Sequence, residues 1–548
     1  MNQCRPRLRL IHVLLVLVPL FVSSQANAHL FDLFKSFLGM PVFKESPKYT
    51  TDDNVIIPTY DGLELHGNIF VPTTGESSYP AIIFINSWAF DEYEYLAEAK
   101  RFSEDGYVVL SYSTRGFGQS DGTIETAGPE DLADVSAVID YLVTRYPVDV
   151  EAIGVSGISY GSGISLLSAA VEPRIKAVSA MSTWGSLTDS LYGNRATRLV
   201  WGLGLIGAGE ITGNPNAEIN QHYSDLLFQR NIAEGRGWFE SRSPINYVDQ
   251  INANGAAIHL SSNLGDNLFQ SNSVLKLYEG LTGPKKLDLN QGTHFVGEVI
   301  GMGNENNHVW SNAHDWFDYW LKGIDNGIVE KDRVEMEVKF GDYESFADWP
   351  FDEVTDRTLY LHEKEYDGDG DMLPHPYAPW WPKTDTIYSG LDTFATSGIP
   401  ILSYLAEDKL DIPIVSSMPL ISTINAIRWE SDWLYETTKL RGIPKVHLTV
   451  TPSKSRALLV AYLYDVAWTG VGKLITHAPY AIIDAIPGQK MDVDLDLVAT
   501  AYDVPAGHYL ALVIDTADAL YAPPTLEHYN VKINYSSNIR NTLTLPIK

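Results

Sequence analysis

Continuous apolar segments alternate with segments of helical spacing through the first half of the chain. The apolar segments predict buried strands at residues 81–85, 107–112, 151–155, 175–180, 256–262 and 286–289. Apolar positions that recur every three or four residues predict helices at residues 91–104, 128–146 and 310–328. Strands without a polar face, separated by amphipathic helices, predict an α/β fold with a parallel sheet covered on both faces.

Two segments depart from this alternation. Residues 184–250 are rich in Gly, Trp and Tyr, and their short helical stretches predict a cap inserted over the strand ends. After about residue 329, apolar and polar positions alternate with period two, as in residues 334–338, 445–450 and 458–464. Short strands divided by Pro, Gly and Asp predict an antiparallel β-sandwich or jelly roll. The predicted organisation is an α/β domain over residues 29–328 and an all-β domain over residues 329–548.

The N-terminus has the three parts of a secretory signal peptide. A basic head with three arginines precedes an apolar centre at residues 13–22, and Ala26-Asn27-Ala28 offers a small-residue cleavage site. The sequence therefore predicts cleavage after Ala28, a periplasmic or secreted protein, and no stable membrane anchor after cleavage. An uncleaved anchor is the alternative, although the apolar centre is short for a membrane span.

Composition narrows the classes of partner and of chemistry. The 548 residues are 45% hydrophobic and 20% charged, which is typical of a globular protein of more than one domain. The formal net charge of −30 argues against a nucleic-acid partner, because phosphate binding requires a positive surface. The single cysteine, Cys4, lies in the predicted leader, so the mature chain would have neither a disulfide nor a thiol nucleophile.

Gly157-Ile158-Ser159-Tyr160-Gly161 stands where a predicted strand passes into a predicted helix at residues 163–170. Strand, sharp turn and helix form the context in which G-x-S-x-G becomes a nucleophile elbow. The two glycines let the turn close without a Cβ clash, so that the Ser159 hydroxyl is exposed above the sheet in a strained conformation. The pattern alone is a weak signal, and its weight comes from this context and from the acid and base that follow.

An acid and a base follow the serine at the expected places. A serine hydroxyl becomes a nucleophile when a histidine accepts its proton and a carboxylate orients that histidine. In this fold the partners follow in the order Ser, Asp, His, each in a loop after a later strand. Asp266 follows the strand at residues 256–262, and His294 follows the strand at residues 286–289. Ser159, Asp266 and His294 are the predicted catalytic residues.

Other candidates fit this chemistry less well. His259 lies inside an apolar strand and is predicted to be a core residue, whereas His308 and His314 lie in or near the last helix and are predicted to pack or to face solvent. Asp288 lies within a strand and is predicted to point away from the site. The glycine-rich residues 114–122 lack a lysine and open no helix, which argues against a nucleotide site. A structural loop with Arg115 in a buried ion pair is predicted instead.

An oxyanion hole requires two hydrogen-bond donors. The backbone N–H of Tyr160, the residue after the nucleophile, is predicted to be one of them. Trp88, in the loop after the strand at residues 81–85, is the candidate for the second, through its backbone N–H or its indole N–H. The alternative is that Trp88 only lines the pocket. This chemistry requires no metal and no organic cofactor, and none is predicted.

These residues together resemble the serine hydrolase family of X-Pro dipeptidyl peptidases, cocaine esterase, alpha-amino acid ester hydrolases and glutaryl acylases. The resemblance extends over nearly the whole mature chain, including residues 60–72, 114–122, 428–431, 461–466 and 504–508 and the three loops of the predicted catalytic residues. It implies an α/β-hydrolase fold followed by a galactose-binding-like jelly roll, with Ser159 as nucleophile, Asp266 as acid and His294 as base.

Two positions depart from the family pattern. Trp88 stands where the esterases of the family have a tyrosine whose hydroxyl completes the oxyanion hole. Ser113 stands where an aspartate commonly precedes Thr-Arg-Gly. Both departures weaken the transfer of a substrate from a characterised member of the family.

The sequence predicts an exported serine hydrolase that cleaves an ester or amide through an acyl-enzyme. The substrate is predicted to be a small-molecule or peptide acyl compound, held in a pocket walled by the cap and the jelly roll. One alternative is an X-Pro dipeptidyl peptidase, which requires an acidic or carbonyl-rich subsite for a free amine. Another is a non-catalytic protein whose jelly roll binds a glycan or another ligand. The oligomeric state is not predicted.

Overall fold

The computed structural model describes residues 46–548, apart from residues 366–367, 391–392 and 400–401. The predicted signal peptide, residues 1–28, lies outside the described residues. Within the described part of the chain, no helix combines the length and the apolar character that a membrane span requires.

A sheet of ten strands forms the centre of the first domain. In chain order they are β1 (Tyr49–Pro58), β2 (Glu64–Pro72), β3 (Tyr79–Ile85), β4 (Val108–Tyr112), β5 (Val148–Ile158), β6 (Ile175–Met181), β7 (Ala257–Asn263), β8 (Lys285–Asn290), β9 (Val334–Glu337) and β10 (Tyr343–Phe346). Their order across the sheet is β1-β2-β4-β3-β5-β6-β7-β8-β9-β10. All neighbours from β4 to β9 are parallel, and antiparallel pairs form both edges. The α/β architecture predicted from continuous apolar strands is confirmed.

Eleven helices accompany the sheet in the described part of this domain. They are α1 (Leu96–Glu104), α2 (Pro129–Arg145), α3 (Tyr160–Val171), α4 (Leu187–Tyr192), α5 (Leu199–Thr212), α6 (Ala217–Leu227), α7 (Ile232–Glu240), α8 (Val248–Asn254), α9 (Ser271–Gly280), α10 (Val296–Gly301) and α11 (His308–Lys322). Successive side chains of a strand point to opposite faces. In β3, Ile83 and Ile85 therefore join the core under α2 and α3, whereas Ile82 and Phe84 join the core under α1 and α11.

The segment between β6 and β7 is helical, as predicted for the cap. It contains α4 to α8 and two short 3-10 turns, Gly193–Arg195 and Pro244–Tyr247. The isolated bridge between Phe117 and Gly213 ties the end of α5 to the loop after β4. The cap is therefore anchored beside the carboxyl ends of the parallel strands, where ligands bind in open α/β sheets.

Two boundaries differ from the predictions. The last helix was predicted to reach residue 328, but α11 ends at Lys322 because Gly323 adopts the left-handed conformation with φ of 69°. Residues 334–338 were predicted to belong to the sandwich, but β9 pairs in parallel with β8. A buried Val334 and Met336 alternate with two glutamates, and that period of two fits an outer strand of the first sheet equally well. The first sheet therefore ends at Phe346 and not before residue 329.

Over its described residues, the second domain is an all-β unit of fourteen strands, as predicted. They are β11 (Thr355–Leu361), β12 (Gly370–Leu373), β13 (Lys383–Tyr388), β14 (Val415–Ser417), β15 (Ile427–Ser431), β16 (Thr438–Gly442), β17 (Lys445–Pro452), β18 (Ala457–Val466), β19 (Val471–Ile482), β20 (Met491–Asp496), β21 (Thr500–Val504), β22 (Tyr509–Asp515), β23 (Asn530–Tyr535) and β24 (Thr542–Ile547), with one helix, α12 (Leu402–Leu410). Described neighbours are antiparallel except β12 and β15.

The second domain holds the cap and the start of α9 by hydrogen bonds. The N–H of Leu199 donates to the carbonyl of Leu520 at 2.8 Å, and the N–H of Ala522 donates to the carbonyl of Thr197 at 2.9 Å. The side chain of Asn272 donates to the carbonyl of Leu497 at 2.8 Å. These contacts fix the start of α5 and of α9 relative to the sandwich.

The glycine-rich loop at residues 114–122 is structural, as predicted. Arg115 donates from Nε and Nη2 to the two carboxylate oxygens of Asp134, at 2.7 and 2.6 Å, and both side chains are buried. Asp61, in the hairpin between β1 and β2, lies 3.3 Å from the same guanidinium. The ion pair joins the hairpin, the loop and α2, and planar bidentate pairing of this kind is the strong form of an arginine–carboxylate contact.

Candidate active site

Ser159 occupies a strained turn between β5 and α3. Its φ of 53° and ψ of −114° lie in a region that non-glycine residues rarely adopt. A Cβ on Gly161 would lie 2.0 Å from the carbonyl oxygen of Ile85, and one on Gly157 would lie 2.5 Å from the backbone of Gly161. Both glycines are therefore required by close backbone approach, as the sequence predicted for an elbow.

The structure brings the three predicted residues into one hydrogen-bonded chain. Ser159 Oγ lies 2.7 Å from His294 Nε2, and His294 Nδ1 lies 2.6 Å from Asp266 Oδ2. The three residues are buried, with exposures of 7%, 2% and 1% for Ser159, His294 and Asp266. Side chains separated by 107 and 135 positions from Ser159 thus meet at one point above the strand ends.

The loops around the acid and the base fix both side chains. The other oxygen of Asp266, Oδ1, accepts the backbone N–H groups of Leu268 and Phe269 at 2.8 and 2.9 Å. The imidazole packs nearly perpendicular to the rings of Phe269 and Trp201, with centroids 4.7 and 5.6 Å away. The carboxylate is therefore held in one orientation by three donors, and it orients the imidazole in turn.

A second buried carboxyl group supports the histidine loop, and the sequence did not reveal it. Glu298, in α10, accepts hydrogen bonds from Ser182 Oγ at 2.8 Å and from Asn263 Nδ2 at 3.0 Å. Ser182 Oγ also accepts the backbone N–H of Phe295, next to the imidazole. Burial raises the pKa of Glu298, and the positive charge of a protonated His294 opposes that shift. Its partners Ser182 and Asn263 lie at the ends of two different strands, so no local pattern indicates the cluster.

The N–H groups predicted to form the oxyanion hole differ in whether they already donate to an acceptor within the protein. Tyr160 is the first residue of α3, and its N–H is one of the helix-start donors that lack an intrahelical acceptor. The indole N–H of Trp88 donates to the carbonyl of Leu205 at 2.8 Å, so that version of the prediction was wrong. The backbone N–H of Trp88 has no acceptor among the described residues and stays the candidate. The Trp88 ring also lines the pocket.

A buried carboxyl group lies beneath the residue after the nucleophile. Tyr160 Oη donates to Asp131 Oδ2 at 2.8 Å, and the N–H of Gly128 donates to the same oxygen at 3.2 Å. Asp131 is 1% exposed and has no ion-pair partner among the described residues. Burial raises its pKa to about 7, against the hydrogen bond from Tyr160.

Asp131→Asn is expected to make stability less dependent on pH. Because the folded-state pKa of about 7 exceeds the ordinary aspartate value, the folded protein binds a proton that the unfolded chain has released. This carboxyl group therefore lowers the free energy of unfolding as pH rises from about 4 to about 7. Between about pH 5 and about pH 8 the wild type should lose about 2 to 3 kcal/mol that the Asp131→Asn variant does not lose. Urea unfolding at both pH values measures the difference.

The matched control for this substitution is Asp140→Asn, which removes an exposed carboxylate from the same helix. It should leave the wild-type pH dependence unchanged. An Asp131→Asn variant with the same pH dependence as the wild type would contradict the assignment.

An apolar cavity of about 80 Å³ opens on Ser159. Most of its walls come from the cap, and none of its described lining residues is a carboxylate. The lining residues are Trp88, Thr126, Ser159, Tyr160, Trp184, Leu187, Leu191, Gly202, Leu205, Ile206, Ile219, Tyr223, Trp238, Phe239 and Phe269. The sandwich was predicted to wall the pocket together with the cap, but it contributes none of these residues. Its described contacts near the site include the backbone bonds to the cap and the hydrogen bond that the Asn272 side chain of α9 donates to Leu497.

The competing residues form a separate buried network. Ser179 Oγ lies 2.9 Å from His259 Nδ1, and His259 Nε2 lies 2.9 Å from Asp288 Oδ2. All three are fully buried, and none of them lines the cavity. His259 is thus a core residue and Asp288 points away from the site, as predicted. His314 pairs with Glu98 and stacks on Phe102, which is the packing role predicted for it.

One group of potential metal ligands lies beside that network. Ligand atoms of Asp288, His308 and Glu335 lie within 4.8 Å of one another. Lys286 Nζ already lies 2.5 Å from Glu335 Oε2, and Asn312 donates to both carboxylates. The negative charge is therefore compensated by the chain itself, and these residues do not fit a metal site well. The absence of a metal or cofactor stays a prediction.

Both domains of the chain are similar to those of known proteins. Residues 61–296 match the sequence model of the X-Pro dipeptidyl-peptidase S15 family, and residues 326–544 match that of the X-Pro dipeptidyl-peptidase C-terminal non-catalytic domain. A Bacillus cereus protein assigned as an Xaa-Pro dipeptidyl-peptidase is 22% identical over 458 residues, which cover 76% of this chain and 72% of that protein.

Solved structures share the fold over nearly the whole chain. A CocE/NonD family hydrolase from Staphylococcus aureus has a TM-score of 0.71 at 14% identity, covering 91% of this chain and 94% of its own. An alpha-amino acid ester hydrolase has a TM-score of 0.71 at 16% identity, covering 93% and 98%. With both domains matched in the same order, the chain belongs to the X-Pro dipeptidyl-peptidase (S15) family of serine hydrolases.

Proposed function

We propose that this protein is an exported hydrolase that cleaves an ester or amide bond through an acyl-enzyme on Ser159. The observation that supports the proposal most directly is the chain of short contacts from Ser159 through His294 to Asp266, at 2.7 and 2.6 Å, beside an apolar cavity. A buried serine–histidine–carboxylate chain that opens on a cavity is the arrangement that activates a hydroxyl for acyl transfer.

The proposed reaction follows from the positions of these atoms. Ser159 Oγ attacks the substrate carbonyl while His294 Nε2 accepts the hydroxyl proton, and Asp266 stabilises the imidazolium through Nδ1–H. The N–H of Tyr160, with the backbone N–H of Trp88 as the second candidate, stabilises the negative oxygen. The imidazolium then protonates the leaving group, and an acyl ester remains on Ser159. Water, deprotonated by His294, hydrolyses this ester and restores the serine.

The cavity favours an apolar acyl group. Its walls are mainly Trp, Tyr, Phe, Leu and Ile side chains, and its volume of about 80 Å³ suits a compact aromatic or branched group. A free ammonium group placed there would be desolvated without an acidic partner, which costs several kcal/mol. We therefore favour esters or amides of apolar acids over peptides with a free N-terminal amine.

The second candidate is an X-Pro dipeptidyl peptidase, which the match to the S15 family favours. In that case a carboxylate or a set of carbonyl groups outside the cavity lining would have to bind the amine of the substrate. The two candidates differ in the acyl part that they accept and not in the chemistry of Ser159.

The nitrophenyl ester of benzoic acid is expected to be hydrolysed with a kcat/KM at least about 100-fold higher than the nitrophenyl ester of alanyl-proline. The two esters share their leaving group, and each kcat/KM is divided by the rate of uncatalysed hydrolysis of the same ester, so that the corrected ratio reports recognition of the acyl part. The measurement is nitrophenol release at several substrate concentrations. A preference for the alanyl-proline ester would favour the dipeptidyl-peptidase candidate. No release from any ester would favour a non-catalytic binding protein.

Export is part of the proposal and is supported by the sequence alone. The basic head, the apolar centre at residues 13–22 and the small residues before position 29 agree with a cleaved secretory leader. N-terminal sequencing of the protein recovered from its producing cell should begin at His29. Recovery of the chain from Met1 in the membrane fraction would instead indicate an uncleaved anchor.

A further inference from the structure

A buried guanidinium near the site lacks partners. Arg198, the residue before α5, is 1% exposed. Its Nε donates to the carbonyl of Ser190 at 3.2 Å, but neither Nη1 nor Nη2 has a hydrogen-bond partner among the described residues. No described carboxylate lies within 4.0 Å of it. Arginine stays charged in proteins, so this is an uncompensated buried cation, which ordinarily destabilises the fold.

The backbone cannot release this side chain to solvent without breaking the contact between the domains. Arg198 forms an isolated bridge with Tyr521 of the second domain, and the next residue, Leu199, donates to Leu520. The guanidinium lies 5.0 Å from the centroid of the Tyr521 ring, which compensates the charge only in part. The carboxylates that interact electrostatically with the Arg198 guanidinium are Asp266 and Asp189, and both lie beyond ion-pair distance.

A small space lies directly beside the guanidinium. Gly193 has no side chain there, and a Cβ built on it would lie 3.3 Å from Arg198 Nη2 and 3.8 Å from Gln270 Oε1, with no other heavy atom within 4 Å outside its chain neighbours and the backbone of its own helical turn. Gln270 Nε2 is buried and also lacks an acceptor among the described residues. Rotation of this amide by about 180° about its terminal bond would direct Nε2 into the same space. Unused donors thus surround room for one small ion.

We propose that Arg198, Gly193 and Gln270 form a binding site for a small monovalent anion of the halide class. The net positive charge and the unused N–H donors select an anion, and the space beside Gly193 selects a small one. The substrate is excluded as the source of this anion, because Arg198 does not line the cavity at Ser159. The ion connects the cap, the loop that carries Asp266 and, through Tyr521, the second domain.

The anion has a defined electrostatic effect on the reaction, and this part rests on the proposed function. The guanidinium charge acts on Asp266 and thereby disfavours the imidazolium that forms on His294. A bound halide cancels that charge, so the imidazolium is stabilised and kcat rises. Binding of the ion, by contrast, depends only on the site itself and is measurable without a substrate.

Crystals of the full mature chain soaked in sodium bromide test the site directly. The expected result is an anomalous bromide peak beside Arg198 Nη2 and the Cα of Gly193. Gly193→Ala fills the space and keeps the charge, and its φ of −59° is accessible to alanine, so this variant should lose the peak. A peak that persists in Gly193→Ala, or a wild-type site that holds only water, would overturn the proposal.

Thermal unfolding and ester hydrolysis complete the test at constant ionic strength. Replacing gluconate by chloride or bromide should raise the Tm of the wild type by about 1 to 3 °C at about ten times the dissociation constant, and kcat by about 2- to 5-fold. Arg198→Gln and Gly193→Ala should show neither response. Gly204→Ala, at an exposed position of α5 with open space around it, should keep both responses. A Tm response without a kcat response would support the site and remove its link to catalysis. Equal responses in Gly193→Ala would reject the site.

Discussion

Ser159→Ala is expected to lower kcat for a nitrophenyl ester by about 10⁵- to 10⁶-fold, with little change in KM. The hydroxyl is the only group in the proposed mechanism that forms a bond to the acyl carbon, whereas the cavity that binds the acyl group stays intact. Labelling by a fluorophosphonate probe should be lost together with hydrolysis. Circular dichroism and unfolding in urea would show that the variant is folded.

The matched control is Ser179→Ala. Ser179 also belongs to a serine–histidine–aspartate chain, with contacts of 2.9 Å along it, but that chain is fully buried in the sheet. The Ser179→Ala variant is expected to lose some stability, while its kcat stays within about threefold of the wild type. Probe labelling that survives in Ser159→Ala would exclude Ser159 as the nucleophile.

The two serine–histidine–aspartate chains show what sequence could and could not separate. Asp266 and His294 each follow a strand, and side chains placed there extend beyond the sheet edge. His259 and Asp288 lie inside strands, where alternation directs them into the core under α11. Position relative to the strand end therefore distinguished the two pairs before any distance was known.

Other features of the site depend on contacts between distant segments. The indole of Trp88 donates to Leu205, which is 117 positions away, and nothing local to Trp88 indicates that acceptor. Glu298 acquires its partners from the ends of β6 and β7. The space beside Arg198 exists because Gly193 and Gln270 come from two segments that meet only in the folded chain. Neither the composition nor the hydrophobic periodicity of the sequence indicates which distant segments come into contact.

The position of the second domain was predicted less well than its fold. Alternation with period two identified its strands, and the burial of β17 follows that pattern, whereas β18 is buried on both faces. The same period placed β9 in the wrong domain, because an edge strand of an α/β sheet also has one polar face. The sequence also predicted that the sandwich walls the pocket, whereas the cap supplies that wall. The hydrophobic period of a strand shows which of its faces is buried, but it does not show which domain that face packs against.

Asp266→Asn is expected to lower kcat by about 10⁴-fold while the geometry of the site is retained. In the proposed mechanism, His294 Nδ1 donates its proton to Asp266 Oδ2, so that Nε2 is free to accept the proton of Ser159. An asparagine that keeps its oxygen on the N–H groups of Leu268 and Phe269 would turn its amide N–H₂ towards Nδ1. The imidazole would then carry its proton on Nε2, and it could no longer act as the base. Pre-steady-state nitrophenol release should slow by a similar factor.

Asp288→Asn provides the comparison that separates this tautomer effect from loss of a buried carboxylate. Although burial opposes it, His259 and His308 hold the pKa of Asp288 below its usual range, so Asp288 also carries a buried negative charge beside an imidazole. Its stabilising effect is present above the unfolded-state pKa and is lost as pH falls through the lower folded-state value. Asp288→Asn should therefore lower the Tm at neutral pH, while kcat of the folded fraction stays within about tenfold of the wild type. If Asp266→Asn lowered kcat by no more than Asp288→Asn does, Asp266 would be a structural carboxylate and not the acid of the triad.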